Sequence, residues 1–430
     1  MKYLLIVVVS LPMFSAAQSD RRSPFASNLS WQQVREQARH ENKYIFLDCF
    51  ATWCGPCKLM DSMVYPSAEV KASLADRFIS VRVQYDRTSH DDTNTRSWYG
   101  DADDIMKRYK VGAFPTFLFF SPDGRLVHRG MGGLSVDAFL SLLADATNPK
   151  KQYYTYLDEY WAGVRDYSVM GDMAMLAKDL GDRDTAAMLA ADYVDDYLYA
   201  LDSGRLYTKK NMNYILDVAE MLPAGERYFG LLYPDGSRFD QAIGFKISEP
   251  LVCTIINREL IKPAVEARGS SVRWRDLQRA VGKKYAKKYA DRAILYAERD
   301  WYHAMTERDS SMWGRYIDLE LQVIDRYEQD STQGADISHF IFAYNDVLRH
   351  GTDPRQLAAS VQMMEGIIRR QPGAMTYSGY ANLLYKLGER DRALEWQKRC
   401  VRLGDALGKV NPGDVGDLEK MKKGIPTWVN

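Results

Sequence analysis

Trp53-Cys54-Gly55-Pro56-Cys57 is the stretch on which the reading of this chain turns. It follows Tyr44-Ile45-Phe46-Leu47-Asp48-Cys49-Phe50, which is short, apolar and rich in aromatic and branched side chains, the pattern of a buried strand. Residues 57–63 carry helical spacing, so the cysteine pair falls where a strand gives way to a helix. Two cysteines at such a junction can close a small disulfide loop, and the positive end of the helix favours a thiolate on the first. That is the mechanical requirement of thiol–disulfide exchange: Cys54 attacks, a mixed disulfide forms, and Cys57 resolves it. Pro56 sits where a first-turn proline is tolerated, and Gly55 lets another chain approach closely. Two blander readings stand beside this one. Half a zinc site is disfavoured because zinc usually takes four protein ligands and no second Cys or His pair is present. A purely structural disulfide is disfavoured because so short a loop adds little chain-entropy stabilisation.

Outward from the pair, strand and helix signals alternate from residue 30 to 146, which predicts an α/β domain. Ser30 is a plausible N-cap for a helix over Trp31–Glu41, and Ser67 for a second helix running through Ala75. Residues 78–85 alternate as a strand, residues 86–101 are polar, and residues 102–109 resume a helix. Residues 117–120 and 126–128 flank the turn Ser121-Pro122-Asp123-Gly124 and read as a β-hairpin. Ser135 caps a last helix with Phe139, Leu142 and Leu143 on one face.

With these elements in place, residues 26–148 resemble the thioredoxin superfamily. The family's active-site sequence stands unaltered at residues 53–57. The resemblance implies that Asp48, six positions before Cys54, is the buried acid that helps Cys57 lose its proton. It also implies that Pro115, in Ala113-Phe114-Pro115-Thr116-Phe117, follows a cis peptide bond opposite the disulfide. The backbone of Phe114 would then pair with an incoming peptide, with Trp53, Gly55 and Pro56 completing the substrate surface. Gly132-Gly133-Leu134-Ser135 is similar to the glycine turn before the family's last helix, and Arg82 lies on the strand that often carries a lysine near the buried acid. Residues 64–70 followed by 78–81 look like the C-terminal domain of the reductase DsbD and related secreted domains. The Gly-Pro pair between the cysteines resembles the reducing members, at about −270 mV, which implies a protein-disulfide reductase acting on disulfide-containing client proteins, with oxidase or isomerase activity as the alternative.

The first residues are an address. Lys2 is followed by an apolar run over residues 4–14 and by Ser15-Ala16-Ala17, which predicts a secretory signal cleaved after Ala17 and a periplasmic location. No run is long enough to span a bilayer, so no stable membrane insertion is expected and a separate membrane electron donor is implied. Fifty-seven basic against 57 acidic residues leave no electrostatic basis for a nucleic-acid partner. No cofactor and no metal are expected: the six histidines show no ligand spacing, and the aspartates of residues 86–104 lack the glycine-turned spacing of a calcium loop.

After Asn148-Pro149 the periodicity becomes helical, predicting an all-α helical-hairpin region in two parts, 153–222 and 251–407, with a tail over 408–430. The cluster of Pro and Gly over residues 223–250 reads as a long irregular connection between them. Residues 176–186 and 383–393 share one register, a helix that stops at a glycine and is followed at once by another, and the second copy is similar to a tetratricopeptide unit. Tyr153, Tyr154, Tyr156, Tyr160 and Trp161 read as packing between helices. Of the other cysteines, Cys49 is expected in the core, on the strand face opposite Asp48, while Cys253 and Cys400 are either bonded or two free thiols. Two functions compete: an oxidoreductase whose helical half selects the partner, and a chaperone-like scaffold in which the redox domain regulates binding.

Overall fold

Ser30 opens the first helix as its sequence predicts: its hydroxyl accepts from the Gln33 amide while the Gln33 side chain accepts from the Ser30 amide. A computed structural model describes residues 23–428 apart from 226, 270 and 329–332, so the expected signal segment and cleavage after Ala17 lie outside the described residues. The elements that follow are α1 Trp31–Glu41, β1 Tyr44–Phe50, α2 Gly55–Leu59, a π-turn Met60–Val64, α3 Ala68–Arg77, β2 Phe78–Gln84, α4 Thr93–Ser97 and α5 Tyr99–Arg108. Then come β3 Thr116–Phe120, β4 Leu126–Met131 and α6 Val136–Ala146. The four strands form one sheet in the order β2-β1-β3-β4, with β1 parallel to β2 and antiparallel to β3, and β3 antiparallel to β4.

Both faces of the sheet are covered, which is why Thr116–Phe120 is buried at every position instead of alternating. Leu47, Cys49, Val81 and Leu118 pack with Val34 and Ala38 of α1 and Ile105 of α5 on one face. Phe46, Phe117 and Phe119 pack with Met60, Leu74 of α3 and Phe139 of α6 on the other. The expected mixed α/β sheet with flanking helices is therefore present.

Local corrections have physical causes. Ser67 stands at the N-cap of α3 but its hydroxyl makes no cap bond. The helix after Cys54 begins at Gly55 and winds as a π-turn from Met60. Within the polar stretch 86–101, Asp92 caps the short α4 by accepting from the Thr95 amide at 2.7 Å, and α5 starts at Tyr99, before the expected Ala102. No residue of α4 is buried, so it carries no periodic signal to read.

The chain divides after Leu222 into two compact units. In the first, α7 Tyr153–Trp161, α8 Tyr167–Asp179 and α9 Arg183–Asp192 continue from the α/β domain, and α7 packs against the edge strand β4. The join is specific: the Tyr153 amide donates to Nδ1 of buried His128 at 3.1 Å, and the Gln152 side chain donates to the Ala146 carbonyl at 2.8 Å. Tyr153, Tyr156 and Tyr160 are core residues, whereas Trp161 is exposed. In the second unit every described element is helical. The expected irregular connection over 223–250 is instead largely helix, with Arg227–Leu231, Ser237–Ile243 and the start of Ser248–Ile256. Its Pro and Gly mark helix ends: Gly244 closes one helix at φ 98°, and Pro250 lies in the first turn of the next, where an amide has no intrahelical acceptor. The expected tail contains the helix Pro412–Lys422, begun by the Asn411 side chain.

The two echoed segments are hairpins of one design. Gly181 and Gly388 adopt φ 76° and 97°, and the next residue's amide returns to the carbonyl five positions earlier, Asp182 to Ala177 and Glu389 to Leu384, each at 2.9 Å.

His128 generates a pH prediction. Burial lowers its pKa to about 4, against a weaker opposing pull from Asp145. An unfolded chain takes up this proton near pH 6.5 and the folded one only near 4, so stability is lost as pH falls through that window. Between pH 7 and 4.5 the wild type should lose about 2–3 kcal/mol more than His128→Gln, measured by urea denaturation at both pH values. Equal losses would contradict this.

Candidate active site

β1 delivers the chain to the cysteine pair through a fastened loop. The Thr52 amide donates to Asp86 at 2.8 Å, its hydroxyl bonds the same carboxylate, and the Cys54 amide donates to the Ala51 carbonyl at 3.1 Å. Cys54 is thereby the N-cap of α2, and its Sγ accepts from the Cys57 amide at 3.1 Å. Cys54 and Cys57 are joined in a disulfide with Cα atoms 5.3 Å apart. Both are buried, packed with Ala51, Phe50 and Phe114. When the bond is reduced, the same amide and the helix dipole favour a thiolate on Cys54.

Around the sulfurs lies an apolar rim. Trp53 is 66% exposed and meets Phe114 edge-on at 5.9 Å, while Tyr85, which sequence reasoning left at the end of a strand, lies 5.1 Å from the same ring. Leu59 and Met63 are also exposed on the helical stretch beyond Cys57. Gly55 and Pro56 are exposed as well. The Phe114–Pro115 bond is cis; the Pro115 carbonyl accepts from Gly132, and Thr116 Oγ1 donates to Ala113. Among the described residues the backbone amide and carbonyl of Phe114 have no hydrogen-bond partner, which leaves them available to an added strand. Gly133 presses on α2: a Cβ there would sit 3.3 Å from Cβ of Pro56.

Asp48 is 1% exposed, and its side-chain hydrogen-bond partner is Arg82, the residue opposite it on β2, at 3.1 Å from Nε. Arg82 also reaches Asp61 through Nη1 at 3.0 Å and stacks 3.9 Å over the Phe50 ring. One guanidinium thus serves a buried and a half-exposed carboxylate. Burial pushes the Asp48 pKa up to about 6, against the lowering by Arg82, and the charge of Asp61 raises it further. The Tyr65 hydroxyl lies beside Asp48 without a hydrogen bond of normal geometry. Asp48 makes no hydrogen bond to either sulfur. Asp61 was missed in the sequence, and its only local signal is its place one turn beyond Cys57.

The other candidates are accounted for. Cys49 faces the opposite sheet layer, and burial pushes its thiol pKa far up. Cys253 and Cys400 are not bonded to each other: both are buried free thiols, donating to the carbonyls of Tyr289 and Ala374, with pKa values pushed up by burial to about 12. Asp91 of the polar stretch accepts from the Thr88 amide and hydroxyl, Gln84 and Tyr99, so hydrogen bonds hold it below the usual carboxylate range. No helix of the described residues is long and apolar enough to cross a membrane.

Residues 31–147 match the thioredoxin-like domain family. A thiol:disulfide interchange protein DsbD of Pseudomonas fluorescens is 29% identical over 129 residues, covering 29% of this chain and 20% of that protein. Thioredoxin-1 of Drosophila melanogaster is 34% identical over 86 residues, covering 20% of this chain and 64% of its own length. The chain therefore spans about a fifth of that DsbD relative and just under two thirds of that thioredoxin. A solved structure of a DsbH oxidoreductase aligns with 23% identity and a TM-score of 0.24, covering 30% of this chain and 91% of that one.

The charge arrangement around Asp48 predicts two outcomes. Because folding raises its pKa above the ordinary carboxylate value near 4, ionised Asp48 costs stability at pH above 6, and that cost fades as pH falls towards 4. Asp48→Asn should therefore stabilise the protein at pH 8 by about 2–3 kcal/mol and by little at pH 4, as read from denaturant midpoints. Asp61→Asn should lower the Asp48 pKa, visible by carboxyl ¹³C NMR, since it removes a like charge and leaves Arg82 to Asp48 alone. An unchanged titration would show that the shared guanidinium does not couple the two acids.

Proposed function

We propose that the thioredoxin-like domain of residues 31–147 is the working part of a protein-disulfide reductase. The observation that carries this reading is a disulfide whose first sulfur caps a helix and accepts the Cys57 amide at 3.1 Å, inside a rim of exposed apolar side chains. In the reduced protein the Cys54 thiolate attacks a client disulfide, the client S–S bond breaks, and one client thiolate leaves. The Cys57 thiolate then attacks the Cys54 sulfur, releasing the second client thiolate and closing the 54–57 bond. Two electrons pass to the client, and its thiolates take up two protons. Asp48, behind the pair, acts as proton acceptor for the Cys57 thiol, with its pKa raised by burial to about 6. Trp53, Gly55, Pro56, Phe114 and Pro115 form the client surface, and the Phe114 backbone adds the client as an extended strand.

The protein works in the periplasm after loss of residues 1–17. There it is re-reduced by a membrane-held dithiol donor, and the helical segments 153–222 and 251–407 select or hold the client. Supporting this are the leader-like composition of residues 4–17 and the helical hairpins around Gly181 and Gly388.

Insulin reduction with dithiothreitol as donor tests the activity: wild type should accelerate precipitation, and Cys54→Ser should fall to background. Cys57→Ala, expressed with its signal, should accumulate mixed disulfides through Cys54 that a reductant releases. No turnover by the wild type and no covalent partner in the variant would defeat the proposal.

A further inference from the structure

Arg129 differs from every charge considered so far. It lies on β4 opposite Leu118, so it projects into the sheet face that carries Leu47 and Cys49. It is only 9% exposed. Nη1 donates to the Tyr109 carbonyl at 3.1 Å and Nη2 to the Lys110 carbonyl at 3.4 Å, at the C-terminal end of α5. Nε is buried with no partner, and among the described residues no carboxylate lies within 4 Å of the guanidinium. Arg82, by contrast, holds two carboxylates. A buried cation ordinarily has a counter-charge, and the end of a helix supplies only about half of one.

A cavity of about 500 Å³ opens beside Arg129, bounded also by Arg108, Lys110, Tyr153, Tyr154 and Asp182. Arg108 and Lys110 are exposed at its rim and form no ion pair among the described residues. The single carboxylate, Asp182, accepts from the Tyr153 hydroxyl at 3.1 Å and stands at the N-terminus of α9. Three cations therefore face one acid in a pocket whose walls include three tyrosines, Tyr109, Tyr153 and Tyr154.

We infer that this cavity binds a small soluble anion, a molecule carrying a phosphate or carboxylate group, drawn by the uncompensated charge of Arg129 in its wall and held by donation from Arg108 and Lys110 at the mouth. A guanidinium suits such oxygens because its donors are fixed in a plane and permanently charged. The site is built jointly by the thioredoxin-like domain and the first helices after it, so ligand occupancy would fasten α7 and α9 to β4 and α5. It does not depend on the redox reading above.

The test is thermal unfolding of the full chain as sodium phosphate, or separately sodium succinate, replaces chloride at constant ionic strength, below about 10 mM where general salt effects are small. At least one of the two anions should raise the melting temperature saturably, by about 3–5 °C at ten times the half-saturating concentration. A response to phosphate alone assigns a phosphate ligand, and a response to succinate alone a carboxylate. Arg129→Gln should melt at or above the wild type in chloride, having lost an uncompensated buried charge, and should show no anion response. The double variant Arg108→Gln, Lys110→Asn changes only exposed side chains, with asparagine suited to the φ of 49° at position 110, and should raise the half-saturating concentration about tenfold. No response to either anion, a full response in Arg129→Gln, or an unchanged half-saturating concentration in the double variant would overturn the inference.

Discussion

The Cys57 amide can reach Cys54 Sγ at 3.1 Å only if a strand ends and a helix begins within four residues, and much of the first unit serves that junction. β1 is held centrally, between β2 and β3, so its C-terminal end is fixed on both sides. Asp86, just beyond β2, pins Thr52 from one direction, and Gly133, after β4, presses on Pro56 from another. The helix can then offer its unpaired amide and its dipole to a sulfur. A sulfur so placed needs no neighbouring cation, and no charged side chain bonds to either cysteine.

Behind this junction the chain's neutral total conceals an uneven interior. Arg82 divides one charge between Asp48 and Asp61, and at Asp48 burial outweighs its share and raises the pKa to about 6. On the opposite sheet face Arg129 has carbonyls where Arg82 has carboxylates. Formal charge, 57 against 57, cannot reveal either imbalance, because both arise from which strand face a residue occupies.

That distinction separates what was legible from what was not. Signals carried by neighbours in sequence were readable: the N-cap at Ser30, the buried run of β1, the turn at residues 121–124 and the glycine stops at 181 and 388. The contact of Arg129 with the end of α5 joins residues about 20 positions apart and no local pattern encodes it, while the place of Arg82 near Asp48 was legible only through the family resemblance. Between 223 and 250 the difficulty was of another kind. Proline and glycine are read as breakers, yet at Pro250 and Gly244 they act as a helix's first turn and its stop. The π-turn at Met60–Val64 has no sequence signature, so Asp61 could be counted from Cys57 but not aimed.

The odd cysteine count resolves through burial. Cys49, Cys253 and Cys400 are enclosed, and for each the loss of solvent disfavours the thiolate that exchange chemistry requires. Cys49 is only one residue from Asp48, but the two-residue period of the strand sends it into the opposite layer, away from the disulfide. Cys54 differs in having an amide donor for its sulfur and exposed Trp53 beside it. Five cysteines can therefore coexist in one chain with a single dithiol taking part in exchange, because reactivity follows the local helix end rather than the number of sulfurs.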